Sequence, residues 1–424
     1  MKLKGILKIS LEVTTHLKGS NMKSKIPYLR IGTKYKKIIL FPTINGDEIE
    51  LLVEWDKNTI IQDHGRKYLD KILTYDASVC YPNHINFSKE IKGLYNTYSE
   101  LKYKPKEGSL TNTLKFFEHI FGEQLELGLD YIKVLYEYPL HILPILCLVS
   151  NERSTGKSTF LKYLKEVFGN NMSYLDSHSL NSNFNLDWGN KLLLGLDEAF
   201  FQKEEIIERI KYLSTSNKNK LEAKGKEKVE VDYFGKFIMC SNKEDTFIKI
   251  DPEEIRFWVR KVPKITSEDI DLLNKIIEEI PAFLNFITKR PFANERKTRM
   301  WFEPQVLHTK ALEKLIKNSR NRLEIEIANI LISLIEKFEL KEVKCTPDDL
   351  LNVLLRRRIR ANLGEIRSVL KSKWNLKNQK NSLSYKRFFF HSDGDITFST
   401  ISDKGRYFTI TKMFLEKNFD ELMN

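Results

Sequence analysis

Cysteine is scarce in this chain of 424 residues: there are four, Cys80, Cys147, Cys240 and Cys345, far apart and with no C-x-x-C pair among them. That spacing argues against a zinc knuckle and against a disulfide framework, and it fits reduced life in a cytoplasm. Cys147 and Cys240 sit in apolar runs and read as buried strand residues. Long apolar runs are missing as well: no stretch of roughly 18 apolar residues occurs, so nothing reads as a membrane span and no membrane partner is expected. The opening MKLKGILKISLEV is too broken by charge to read as a signal peptide. Internal repeats and low-complexity segments are absent. Acid is the minority charge, with 57 Asp and Glu against 70 Lys and Arg, a net of +13. Such an excess favours a polyanionic partner. What is present is ordinary for a folded protein: 41% hydrophobic and 11% aromatic residues, and length for two or three domains.

Along the chain, residues 1–84 read as a β-rich accessory segment, with YLRIG, KKIILFPTI and EIELLVEW as strands and a turn at Asn45-Gly46-Asp47. Residues 85–139 read as a helical lead-in, beginning with SKEIKGLYNTYSEL. Apolar strands alternate with helices over 140–265, the pattern of an α/β domain around a mostly parallel sheet. Residues 266–340 read as a helical lid and linker, with Pro281 dividing the lid and a long amphipathic helix over 307–338 interrupted near Asn318. The remainder, 341–424, reads as helix, helix and hairpin, a winged-helix-like module. Its first helix is capped by Thr346 with Pro347 behind it, and turns are expected at Asp393-Gly394-Asp395 and Asp403-Lys404-Gly405.

The run HILPILCLVSNERSTGKSTFLKYL is a strand, a loop and a helix, and Asn151 to Ser158 follows the phosphate-loop pattern G-x-x-x-x-G-K-[ST] except at its first position. Asn151 stands where the first glycine would be. Asn tolerates the left-handed backbone better than most residues, so Asn151 is expected to take that conformation. Gly156 permits the closest approach of backbone N–H groups to a phosphate at the helix start. Ser154, Thr155, Gly156 and Thr159 would line the phosphates. Lys157 would sit between the β- and γ-phosphates, and Ser158 would ligate Mg²⁺.

Two further apolar strands end in polar groups. KLLLGLDEAF ends in Asp197-Glu198, where Asp197 would hold the metal through water and Glu198 would orient the attacking water. KFIMCSNKED ends in Ser241-Asn242, and the Asn242 amide could bond the γ-phosphate and the lytic water. Small nucleotide kinases need the phosphate loop but not the acid pair and the Asn together. The combination points to a hydrolase that does mechanical work.

Taken together, SNERSTGKSTFL, LLLGLDEAF, IKYLSTSNKNKLEAKGKEKVEV, FIMCSN and EEIRFWVRKVP resemble the superfamily 3 helicases, a branch of the AAA+ ATPases. The likeness is greater to phage and plasmid primase-helicases related to the poxvirus-type primase-helicase. It covers about residues 85–265. It implies a P-loop ATPase core, ATP and Mg²⁺ as cofactors, and a homo-oligomer that in the family is a hexameric ring. It also implies single-stranded and forked DNA as substrates and a separate primase or other replication proteins as partners. A phage- or plasmid-encoded chain would work in the bacterial host cytoplasm. In the family a basic hairpin grips DNA in the channel; the matching residues are Lys218, Lys220, Lys224, Lys226 and Lys228. Arg256 matches the finger that reaches a neighbour's γ-phosphate, with Arg260 as second choice.

Residues 352–390 carry eleven Lys and Arg against one acid, Glu365, including the triplet Arg356, Arg357 and Arg358. On a helix-helix-hairpin module this reads as a DNA-binding surface, with Trp374, Tyr385 and Phe388 free to stack on bases or to pack in a core. The expected activity is ATP-driven unwinding of DNA in replication of a mobile element. The competing readings are an initiator or loader ATPase that binds DNA without unwinding it, and an origin-binding protein with a relic nucleotide site.

Overall fold

Runs such as ILCLV, LLGL and FIMC contain no charge, so neither face of a strand built from them can stay wet, and they belong in a sheet covered on both sides. The computed structural model contains that sheet. It describes residues 26–42, 48–182, 185, 187–201, 203–221, 229–251, 253–320, 322–390 and 395–423. The chain begins with β1 (Tyr28–Ile31), β2 (Lys34–Pro42), β3 (Glu48–Glu54) and β4 (Leu73–Tyr75), ordered β3-β2-β1-β4, with α1 (Lys57–His64) between β3 and β4. The expected Asn45–Asp47 turn lies outside the described residues.

Three short strands follow, β5 (Ser78–Val79), β6 (Glu90–Ile91) and β7 (Leu94–Asn96). This corrects the helical reading of SKEIKGLYNTYSEL. Lys92 and Gly93 take φ of +50° and +79°, and Glu90 pairs with Tyr95 across them. Two consecutive positive φ values make a tight hairpin turn, which a helix cannot contain. Buried Asn96 pins the loop through bonds to the carbonyls of Tyr81 and Ser88 at 3.0 and 2.9 Å. Helix begins only with α2 (Thr111–Phe121) and α3 (Leu125–Glu137).

The central unit runs β8 (Ile145–Val149), α4 (Lys157–Phe168), β9 (Met172–Tyr174), α5 (Ser177–Asn181), β10 (Leu193–Leu196) and α6 (Glu204–Thr215). A hairpin of β11 (Lys218–Leu221) and β12 (Val229–Asp232) follows, then β13 (Lys236–Ser241) and β14 (Phe257–Lys261). Five of these strands form one parallel sheet in the order β14-β8-β13-β10-β9. Phe117, Phe121, Phe160, Tyr163 and Trp258 belong to the core on one face, with α2, α3 and α4. Trp188, Ile207, Ile210 and Phe247 belong to the core on the other, with α6. Burying each large side chain contributes about 1.5–3 kcal/mol, so the sheet is the most heavily stabilised part of the chain.

After the sheet come α7 (Leu272–Glu278), α8 (Ile280–Lys289), α9 (Pro304–Leu307) and α10 (Lys310–Asn318). Pro281 sits in the first turn of α8, where a missing N–H costs nothing. Both ends of α8 are fastened. The Glu279 carboxylate accepts from the backbone N–H and side chain of Asn112 and of Thr113, at 2.7–3.2 Å. At the other end the buried ammonium of Lys133 donates to the carbonyls of Ile287, Thr288 and Arg290 at 2.8–3.0 Å.

The last unit holds α11 (Arg322–Lys337), β15 (Glu342–Cys345), α12 (Pro347–Arg356), α13 (Leu363–Ser368), β16 (Leu383–Phe390), β17 (Ile396–Gly405), β18 (Phe408–Thr411) and α14 (Lys412–Phe419). Helix α11 gives Ile327, Leu331 and Ile335 to a core shared with Leu350, Trp374 and Phe388, separate from the sheet's cores. Thr346 caps α12 in a capping box with Asp349. The expected turn at Asp403–Gly405 is instead strand: Asp403 pairs with Tyr385 and Gly405 with Leu383. The chain then leaves this hairpin, and β18 pairs with β15. Trp374, Tyr385 and Phe388 are buried, so they pack and do not stack on bases.

Candidate functional site

Strands β8, β13 and β10 are adjacent and parallel, so their carboxyl tips lie side by side. With about 4.8 Å between neighbours, the outer two tips stand roughly 10 Å apart. The three polar segments Asn151–Ser158, Asp197-Glu198 and Asn242 follow these three strands in space as the sequence suggested.

The loop after β8 turns into α4 through Gly156, whose φ is +86°. A Cβ there would lie 3.1 Å from Phe116 and 3.5 Å from Ile265, so the close approach requires glycine. The other left-handed residue of the loop is Ser154 at +54°, not Asn151. Asn151 does something different: its Oδ1 accepts from the backbone N–H of Glu244 at 3.0 Å, tying the loop to the segment after β13. The loop's carbonyls are held too. Ser154 accepts from the N–H of Ile265 at 3.0 Å, and Thr155 from Nε2 of His119 at 3.0 Å, which fixes the proton on that nitrogen. The first turn of α4 has no capping side chain and no acid, leaving its N–H groups for an anion.

Lys157 is 5% exposed and its ammonium bonds Thr155 Oγ1 at 2.8 Å. Burial holds its pKa below the usual lysine value, and the charge of Asp197 offsets this only in part. Ser158 is exposed and Thr159 half-buried on the same turn. Asp197 and Glu198 are both exposed at the end of β10. Glu198 sits at φ +56°, a strained conformation for a glutamate, and its N–H bonds Asp197 Oδ1 at 3.1 Å. Gly195, within β10, lets α4 and β9 close on that strand: a Cβ there would meet Met172 at 2.6 Å and Leu161 at 3.4 Å. Asn242 is exposed just past β13, while Ser241 is buried and bonds the carbonyl of Ala199 at 2.7 Å, locking the acidic turn to the Asn strand. Two oxygen donors, Ser158 and Asp197, suit a hard divalent cation that keeps waters and phosphates as its other ligands.

Glu244 carries no signal in the sequence. This buried carboxylate lies 3.0 Å from Lys261 at the tip of β14, and 3.9 Å from Lys314 of α10. Lys261 pairs in register with Val149, the last residue of β8, so a second ammonium stands beside the cleft. His119 was equally invisible, since its partner lies 36 residues away.

Arg256 lies at the opposite end of the sheet. Its carbonyl accepts from the N–H of Ile145, where β8 begins, a strand length of roughly 17 Å from the loop. Its guanidinium Nη1 lies 2.9 and 2.8 Å from the two carboxylate oxygens of Glu254. Glu254 also accepts from the backbone N–H of Ile255 and Arg256 and pairs with buried Lys211 at 3.5 Å. Arg260 is engaged by Glu123 and by the carbonyl of Ile120.

Lys218 and Lys220 lie on β11 of the hairpin between α6 and β13, and Lys218 pairs with Asp232 across it at 2.7 Å. Lys224, Lys226 and Lys228 lie outside the described residues. Arg356 ends α12, with Arg357 and Arg358 just past it; Arg356 and Arg358 are exposed. Among the described residues no helix is long and apolar enough to cross a membrane.

Known proteins bear on this geometry. A family of unknown function, DUF5906, matches residues 148–256, the stretch from the end of β8 to Arg256. No curated protein matches the chain. Among solved structures, the apo structure of the NrS-1 C-terminal region is similar with a TM-score of 0.60 at 15% identity, over 87% of this chain and 94% of that one. A second apo form of the same region has a TM-score of 0.55 at 16% identity, over 83% of this chain and 84% of that one. The chain therefore shares its fold with the NrS-1 C-terminal region across nearly its whole length.

Proposed function

We propose that the chain is a Mg²⁺-dependent ATPase of the superfamily 3, AAA+ kind that unwinds DNA as a ring of subunits during replication of a mobile element. The observation that carries the reading is the set of three adjacent strand tips: an uncapped helix start with Lys157 and Ser158, an exposed acid pair with Glu198 at positive φ, and an exposed Asn between them. This is the donor and acceptor set that hydrolysis of a triphosphate requires. The fold shared with the NrS-1 C-terminal region supports it.

Backbone N–H groups of the loop and the Lys157 ammonium bind the β- and γ-phosphates. Ser158 and Asp197 would hold the Mg²⁺, whose charge offsets that of the phosphates. Glu198 accepts a hydrogen bond from the water that attacks the γ-phosphorus, and Asn242 fixes that water and a γ-oxygen. The bond from the γ-phosphorus to the bridging oxygen breaks, giving ADP and phosphate. Arg256 reaches the triphosphate of an adjacent subunit, so the reading includes an oligomer, in the family pattern a hexamer. The β11–β12 hairpin contacts single-stranded DNA, and the unit 341–424 serves as a winged-helix-like DNA-binding module.

The test is a forked-duplex unwinding assay run beside ATP turnover. ATP-dependent unwinding that is lost in Glu198→Gln supports the motor. Turnover and DNA binding without unwinding would favour a loader, and absence of turnover removes the ATPase reading.

A further inference from the structure

In the C-terminal unit, α12, α13 and the β16–β17 hairpin line a half-open cavity of about 620 Å³. Five cations line it: Arg367, Lys371, Arg387, Lys404 and Arg406. Three carboxylates line it too, Asp348, Asp349 and Asp403, but one of these is spent on structure. Asp349 is fully buried, and its Oδ2 accepts from the N–H and hydroxyl of Thr346, both at 2.8 Å, and from the Tyr385 hydroxyl at 2.7 Å. Its Oδ1 lies 2.6 Å from Nε of Arg387. The buried acid thus fixes one guanidinium in the wall, while Asp403 approaches that group only to 3.7 Å.

The other four cations are exposed, and their side chains have no hydrogen bond or ion pair among the described residues. They are nevertheless brought together. Arg367 lies on α13, and Lys371 lies four residues on, in the π-helical turn Val369–Lys373 that continues it; both line the cavity. Lys404 and Arg406 flank Gly405, which packs so closely on the α12 cap that a Cβ would lie 3.0 Å from Thr346 and 3.1 Å from Tyr385. Like charges gathered at one concavity repel unless an anion joins them. The aromatic residues at the cavity, Tyr385 and Phe408, are buried, so no ring is offered to a base.

We propose that this cavity binds a run of linked phosphates without reading bases, its main source being the backbone of a DNA strand. The contact then falls on Arg367, Lys371, Lys404 and Arg406 around a fixed Arg387, and not on the Arg356–Arg358 triplet. The choice of DNA as source rests on the function proposed above; the phosphate site itself does not.

The experiment uses the full chain, a fluorescent duplex in two sequences of equal length, and tripolyphosphate. The variant is Arg367→Gln/Lys371→Gln/Arg406→Gln, which removes side chains that hold nothing in place and should leave the melting temperature unchanged. The expected result is at least about tenfold weaker duplex binding, equal for both sequences, with the slope of log affinity against log salt reduced by about 2–3. Tripolyphosphate should compete with duplex on the unsubstituted chain. If that chain binds DNA and the triple variant keeps its affinity and slope, the proposal is overturned while the DNA reading stands; a loss confined to Arg356→Gln/Arg357→Gln/Arg358→Gln has the same meaning. If the unsubstituted chain binds tripolyphosphate in a way the variant loses but binds no DNA, the phosphate site stands and the DNA reading falls. Binding of neither ligand overturns both.

Discussion

The two ends of the central sheet are built on opposite plans. At the carboxyl end, Ser158, Asp197, Glu198 and Asn242 are exposed, and the bonds that shape the turns run mainly through backbone and through residues such as Ser241 and Asn151. At the amino end, Arg256 is already clasped by Glu254, whose side chain is 5% exposed and is shared with Lys211. One end leaves its charges open for a ligand and spends its hydrogen bonds on holding the frame. The other pairs its charge internally through Nη1 while the Nε of Arg256 stays buried without an acceptor, so a new partner for Nη1 must compete with Glu254. The lesson is that a polar group left unpaired on a rigid support marks a site more clearly than one in a closed network.

This contrast can be broken most directly at Arg256. Arg256→Ala should lower ATP turnover of the assembled protein about 10³-fold or more. Its melting temperature should barely move, because Glu254 keeps Lys211 and two backbone N–H groups. Unchanged turnover, with loss in Arg260→Ala instead, would move the finger and end the contrast. At the open end, Lys157→Ala should cost roughly 10²–10³-fold in turnover and weaken nucleotide binding measured by fluorescence of a labelled analogue. Gly156→Ala sharpens the claim that the frame is rigid. Its positive φ and the 3.1 Å approach to Phe116 should cost about 1–3 kcal/mol in denaturant unfolding, with weaker nucleotide binding. A full-stability Gly156→Ala protein would show that the loop yields freely.

The smallest effect concerns pH. Burial of Glu279 pushes its carboxyl up, but the bonds from Thr113 and Asn112 outweigh this and hold it below the usual value. A carboxyl depressed in the folded state stabilises above its unfolded pKa, and that stability fades as pH falls through the folded pKa. Glu279→Gln should therefore be about 1–2 kcal/mol less stable than the natural chain near neutral pH, and the gap should close in acid. A gap independent of pH would mean that the carboxylate charge contributes nothing.

Much of the sheet was legible because its strands are uninterrupted apolar runs that stop abruptly at polar residues, as at Leu196-Asp197 and Ser241-Asn242. The same runs led to the candidate cleft. What stayed hidden depends on contacts distant in sequence. Asn151 reads as a glycine substitute until its bond to Glu244, 93 residues on, is seen. Periodicity made SKEIKGLYNTYSEL look helical because it carries no information about the φ of Lys92 and Gly93. The stripe on 307–338 announced that a helical face is buried but not against what; α11 turns it into the C-terminal core. Asp403–Gly405 carries turn residues, yet Gly405 serves a close approach between a strand and a helix cap.

The fastening of α8 restricts how this molecule can move. With Glu279 moored to the start of α2 and Lys133 moored to the last carbonyls of α8, swinging that segment away would strand a carboxylate and an ammonium at once. It is a strut and not a door. Access for a guest therefore has to come from the open rim of the strands and not from displacement of α8.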